Sequence, residues 1–99
     1  MEVVAPILKY YTKVVEGGRI VIPKSTRKIF RIHKGDYVKF KVAKVLTVQQ
    51  KVPVLGPQAI VSERLENRGM VHIPKDIREK LGLSPGDIVQ IELLDYHSS

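Results

Sequence analysis

The sequence predicts an all-β protein with two short helices: a six-stranded closed barrel made of two strand-strand-helix-strand repeats about a pseudo-twofold axis. Three observations carry this prediction. First, Gly17 to Val42 (G-G-R-I-V-I-P-K-S-T-R-K-I-F-R-I-H-K-G-D-Y-V-K-F-K-V) returns without a gap 51 residues later as Arg68 to Leu93. A fixed period with matched punctuation is an internal repeat, and two copies suit one closed body rather than a solenoid. Second, the recurring residues alternate in character, as strands with one buried face do. Third, the chain runs only about a dozen residues past Gly86-Asp87. That leaves three strands per repeat, and closure would remove exposed sheet edges. A single domain over residues 1–99 follows, with repeat 1 at 6–48, a connection at 49–57 and repeat 2 at 58–96.

Taken in order, Ile7 to Val15 is β-branched and aromatic and reads as a strand, with Pro6 just before it. Glu16-Gly17-Gly18 is a hairpin turn, because glycine takes positive φ without strain. Arg19 to Ile22 is the next strand. Pro23 ends it and opens a short helix that Ser25 or Thr26 can cap, with Ile29 and Phe30 turned inward. His33-Lys34-Gly35-Asp36 is a turn. Tyr37 to Val42 is a strand that Ala43 to Val48 could extend. Lys51 to Pro57 carries Pro53, Gly56 and Pro57 and marks the connection between halves.

The second copy repeats the plan. Ala59 to Glu66 is a strand, Asn67-Arg68-Gly69 a turn and Met70 to Ile73 a strand. Pro74 to Leu81 is a helix that Asp76 can cap, with Gly82 as the left-handed residue beyond it and Leu83 packing back. Ser84-Pro85-Gly86-Asp87 has the chemistry of a type II turn, and Ile88 to Leu94 is the last strand. Tyr96 to Ser99 is expected to fray. The expected core is Ile20, Ile22, Val38, Phe40, Val42, Val71, Ile73, Val89, Ile91 and Leu93.

Composition narrows the function. The chain has no cysteine, so neither a disulfide framework nor a thiolate metal site exists. Met1 to Pro6 lacks the features of a signal peptide, and no apolar run nears the ~18 residues a membrane span needs. A soluble, cytoplasmic protein is expected. The net charge is +7 and unevenly placed. Residues 1–50 hold eleven Lys and Arg against three acids, whereas residues 51–99 hold six against seven. Such asymmetry suggests a side that faces a polyanion, although a lysine-rich surface also serves solubility.

No constellation for catalysis stands out. Asp36 and Asp87 recur at matched positions, which would suit a shared-proton pair. Glycine precedes each of them, however, and Tyr37 or Ile88 follows, so turn acceptors are expected instead. His33, His72 and His97 do not recur at matched positions. No enzyme activity, metal or cofactor is expected.

The run Gly18 to Asp36, G-R-I-V-I-P-K-S-T-R-K-I-F-R-I-H-K-G-D, resembles the AbrB/SpoVT-type DNA-binding domain of the swapped-hairpin family, and Gly69 to Asp87 resembles it too. Two copies in one chain are similar to the duplicated cradle-loop barrels, of RIFT type more than double-psi, and most of all to a small archaeal RIFT-barrel protein. The resemblance implies a monomeric pseudo-dimer that grips double-stranded DNA with basic side chains. The family's arginine after the turn glycine falls on Arg19 and its helix pair on Arg27 and Lys28. Its first-strand arginine falls on Thr12, beside Lys13. In the second copy these positions hold Met70, Arg78-Glu79 and Glu63-Arg64, so most of the grip is gone. Helical spacing adds Lys24 and Arg31 to the first-copy set. The expectation is therefore a nucleic-acid-binding protein of regulator type using Arg19, Lys24, Arg27, Lys28, Arg31 and Lys13. The alternative is a protein-interaction or structural barrel that does not bind DNA.

Overall fold

The structure is a computed structural model that describes residues 5–99. Each copy supplies two strands, a helix and a third strand. The first copy gives β1 (Leu8–Lys13), β2 (Arg19–Val21), α1 (Lys24–Phe30) and β3 (Tyr37–Gln49). The second gives β4 (Val52–Arg64), β5 (Met70–His72), α2 (Lys75–Leu81) and β6 (Ile88–His97), with a 3₁₀ turn at Asn67–Gly69. The strands form a four-stranded antiparallel sheet in the order β1-β6-β3-β4 and a two-stranded antiparallel ribbon of β2 and β5. The fold is thus mostly β with two short helices, as expected.

Register places the pseudo-twofold axis. In the ribbon, Ile20 pairs with Val71, its own counterpart in the repeat. Across β3 and β6, Lys41 pairs with its counterpart Glu92, and their charged ends lie 3.1 Å apart. Phe40 opposite Leu93 and Val42 opposite Ile91 are related by the same exchange. Ribbon and sheet share one core. All ten residues expected inside are fully buried, joined by Val14, Ile32, Val61, Leu65, Leu81 and Leu83. Tyr10 of β1 packs against this core and donates from its hydroxyl to the Val21 carbonyl at 2.8 Å; burial raises the pKa of that hydroxyl.

The helices are set by their flanks. Pro23 and Pro74 stand at the N-caps, and neither helix has a side-chain cap, so Ser25, Thr26 and Asp76 do not play the expected part. Thr26 is buried instead. Both helices end on a left-handed residue, Arg31 (φ 54°) and Gly82 (φ 67°). The next N–H, of Ile32 or Leu83, reaches back to the Arg27 or Arg78 carbonyl at 2.9 and 2.8 Å. Leu83 packs inward as expected. Ile29 does not: it is 72% exposed, and Phe30 alone leans inward, with its ring centroid 5.7 Å from that of Tyr96.

Two stretches differ from expectation at their ends. Residues 49–57 are strand for most of their length rather than a loose connection, since β3 runs to Gln49, Gln50-Lys51 turns, and β4 begins at Val52. Pro53 and Pro57 are tolerated because β4 is an edge strand, and register shifts between Ala43 and Thr47 absorb the irregularity around Gly56. The C-terminal residues do not fray at Tyr96. β6 continues to His97, where the imidazole stacks on Tyr37 at 5.1 Å.

The turn at Gln50 (φ 50°) and Lys51 (φ 65°) holds two side-chain-bearing residues in the left-handed region. A two-residue hairpin with positive φ at both positions favours Asn-Gly. Replacing Gln50-Lys51 by Asn-Gly should raise stability by about 1 kcal/mol. Urea denaturation should show a higher midpoint with an unchanged slope.

Candidate nucleic-acid interface

Helix α1 positions the basic residues. Lys24, Arg27 and Lys28 recur at three- and four-residue spacing along one side of α1, and Arg31, the left-handed residue that ends the helix, follows them. With Ile32 and His33 they line an open surface depression of about 320 Å³. The helix carries no acidic residue, and among the described residues neither Lys24, Lys28 nor Arg31 takes part in an ion pair. Four of the six residues expected to bind are therefore gathered in one place.

The other two lie elsewhere. Arg19 pairs with Glu66 of the second copy, Nε to Oε1 at 2.7 Å, beside Asn67 and Met70. Lys13 is exposed at the end of β1, in register with Ile88. The sequence reading missed Glu66 as the partner of Arg19. The repeat carried the signal: Glu66 stands where the first copy has Val15, and each donates its N–H across the turn, to the Met70 and Arg19 carbonyls respectively. His33 was also missed, because nothing before folding shows that the chain after α1 curls back beside the helix.

Arg27 has a second task. Its Nε donates to the Ile22 carbonyl at 3.0 Å, and its guanidinium lies over Gly69 of the other copy. Arg78 repeats the arrangement, donating to Ile73 at 2.9 Å and lying over Gly18. A Cβ on Gly69 or Gly18 would stand 2.5 Å from those arginine atoms. Both glycines also have φ of 72°, so an added side chain would strain the backbone and push the arginine aside. The two backbones are tied together here: Ile22 N–H donates to Gly69 O at 2.8 Å and Ile73 N–H to Gly18 O at 2.9 Å.

The second copy builds the same framework without the charge. α2 sets Asp76 and Glu79 among Lys75, Arg78 and Lys80, and Lys75 faces Glu79 at 4.0 Å. Asp36 and Asp87 do not meet as a catalytic pair would. Each Oδ2 accepts the N–H three residues earlier, of His33 or Ser84, at 2.8 Å. The Ser84 N–H lowers the pKa of Asp87; burial opposes that, and Lys44, 3.4 Å away, adds to the lowering. No cluster of three or more His, Cys, Asp or Glu able to hold a metal occurs among the described residues.

Comparison with known proteins adds two findings. Residues 64–96, the second copy from the end of its first strand onward, match the family described as antidote-toxin recognition MazE, bacterial antitoxin. The whole chain is similar to PHS018 from Pyrococcus horikoshii, known as a solution structure: identity is 32%, the match covers 100% of this chain and 98% of that one, and the TM-score is 0.74. No curated protein matches the chain.

Two outcomes follow from this geometry. Arg27→Ala and Arg78→Ala should each lower stability by about 1–2 kcal/mol, since each leaves a half-buried carbonyl short of a donor. Lys24→Ala should stay within about 0.5 kcal/mol of the parent in the same denaturation series. The second outcome concerns pH. A carboxylate whose pKa is lowered by folding stabilises the fold above its unfolded value, about 3.9, and loses that contribution as pH falls through the folded value. Asp87→Asn should therefore lose less stability than the parent between pH 6 and pH 3, read from urea midpoints at both.

Proposed function

We propose a nucleic-acid-binding function of regulator type on one premise: the chain belongs to the same family as PHS018 of Pyrococcus horikoshii, within the AbrB/SpoVT-like swapped-hairpin superfamily. The observation that carries the reading is the convergence of Lys24, Arg27, Lys28 and Arg31 with His33 on one concave, acid-free side of α1. Cations grouped in this way suit the phosphate backbone, which sets affinity and makes it salt-dependent. Sequence selectivity should be slight. Arg19 is held by Glu66 and the Nε of Arg27 by a carbonyl, so two guanidiniums suited to base edges are partly engaged within the fold. No catalytic step belongs to this reading, and a cytoplasmic location is part of the same proposal.

The finer fold reading is part of the proposal. Hydrogen bonds from Ile22 to Gly69, from Ile73 to Gly18 and from Val14 to Asp87 link ribbon, turns and sheet, which supports a closed cradle-loop barrel. RIFT rather than double-psi topology rests on the resemblance. A second reading, a protein-interaction barrel, draws support from the match of the near-neutral second copy to a family described by antidote-toxin recognition.

Binding to random duplex DNA across a salt series separates the readings. Arg31→Gly is the sharpest variant: it removes a cation at a left-handed position where the second copy already uses Gly82. The fold should be unharmed or slightly stabilised. The parent should bind with an affinity that falls steeply with salt. Arg31→Gly combined with Lys28→Ala should flatten the log–log slope by about one to two counterions. Absence of binding near 50 mM salt would leave the protein-interaction reading in its place.

A further inference from the structure

One end of the four-stranded sheet carries a stacked row of side chains. Arg64, Tyr37 and His97 are cross-strand partners on β4, β3 and β6. The Arg64 Nε donates to the Tyr37 hydroxyl at 3.0 Å, and its guanidinium carbon lies over the ring, 5.1 Å from the centroid. The His97 imidazole stacks on Tyr37, with centroids 5.1 Å apart and planes 15° apart. β1 pairs with β6 only as far as Leu93, so among the described residues no strand flanks His97 on its other side. His97 is exposed, and its ring face away from Tyr37 is turned to that open flank. The second copy builds the matching place without rings: Lys13, Ile88 and Leu46 stand 51 residues from Arg64, Tyr37 and His97.

We infer that His97 is a stacking platform for an unpaired base, so that the ligand this surface prefers is single-stranded rather than duplex nucleic acid; the inference deepens the nucleic-acid reading and rests on it. The platform adjoins the basic side of α1. His33, which lines the depression there, opens the turn that leads to Tyr37. The Asp36 N–H closes that turn on the His33 carbonyl at 3.0 Å. The turn is also tied to the residue after Arg64: the Gly35 N–H donates to the Leu65 carbonyl and the Leu65 N–H to the Asp36 carbonyl, both at 2.8 Å. Cations for a phosphate backbone and a ring for a base therefore stand one turn apart. Together these two features bind single strands without reading their sequence. In a duplex both faces of an interior base are covered by its neighbours, and only an unpaired base can offer one to an imidazole.

Three further features agree with a base as the occupant. The imidazole is held in place before any ligand arrives, by Tyr37 and through it by Arg64, so little side-chain freedom is lost on binding. The two acids beside the row are engaged as acceptors: Asp36 takes the His33 N–H, and Asp95, opposite Lys39, takes the Tyr96 N–H. The difference between the copies points the same way. The first copy has the acid-free helix and the rings at the start of its third strand, whereas the second has acids on its helix and Ile88 at the start of its own. A surface that gripped a duplex by its phosphates alone would use the cations and leave the rings idle. Slight sequence selectivity follows as well, because every base has a π-face.

Fluorescence anisotropy with the full chain tests the inference, comparing oligo-dT and oligo-U of about 12 nucleotides with a random duplex of the same length. The parent should bind both single strands at least about fivefold more tightly than the duplex. His97→Ala should weaken single-strand binding by about fivefold or more and leave duplex binding within about twofold. His97→Phe, which keeps a ring and carries no charge, should stay near the parent. A 2-aminopurine placed in the oligo-dT should lose fluorescence on binding the parent or His97→Phe, and less on binding His97→Ala. Urea midpoints check that both variants fold, and quenching by the parent needs neither of them. A duplex bound as tightly as the single strands, an unquenched 2-aminopurine, or His97→Phe as weak as His97→Ala overturns the inference and leaves the nucleic-acid reading standing. A loss confined to oligo-U overturns it too, and assigns the contact to a 2′-hydroxyl. A parent that binds none of the three probes overturns the reading and the inference together.

Discussion

Two residue pairs mark the axis on which the fold depends, Ile20 facing Val71 and Lys41 facing Glu92. Each pair joins a position to its own counterpart in the other copy. In a symmetric homodimer of either copy alone, position 41 or 92 would face itself, lysine against lysine or glutamate against glutamate. Like charges directly opposed across strands are destabilising. In one chain the two copies have diverged at that point, and opposite charges sit 3.1 Å apart. A partly exposed pair of this kind contributes only about 0.2–1 kcal/mol. Its weight lies in the alternative it disfavours, in which equivalent strands of two chains would pair with each other.

Around the axis the copies hold each other by reciprocal contacts. Gly18 and Gly69 have no side chain, and that room admits Arg78 and Arg27 from the opposite copy. The same arginines satisfy the Ile73 and Ile22 carbonyls where β5 and β2 end. An arginine on this helix therefore serves the framework before it serves a ligand. The distinction between copies comes from its neighbours. The first copy sets Lys24, Lys28 and Arg31 around Arg27, and the second sets Asp76 and Glu79 around Arg78. One framework thus carries two electrostatic surfaces, and the nucleic-acid reading belongs to the first.

Much of this was legible before folding. The gapless repeat and two-residue alternation gave the six strands and ten core residues, because burial of one strand face writes a period into the sequence. The helix spacing gave the gathering of Lys24, Arg27 and Lys28; Arg31 joins them from the left-handed residue just past the helix. What stayed hidden was long-range. Nothing local tells that Arg27 lies over Gly69, or that Arg19 meets Glu66, 47 residues away. Ala43 to Val48 does extend β3, but Lys51 to Pro57 was read as a connection because Pro53, Gly56 and Pro57 usually break strands, and only an edge position with register shifts accommodates them. Ile29 was placed inside by apolarity alone, whereas a seven-residue helix resting on Phe30 leaves it outside.

The central claim is that the two copies share a framework and only the first presents a nucleic-acid surface. A titration with a short random duplex, followed through backbone amide NMR shifts, addresses it most directly. The account predicts salt-sensitive shift changes concentrated from Lys24 to His33, with Lys75 to Ser84 nearly unmoved. Equal changes on both helices, or changes confined to α2, would contradict it.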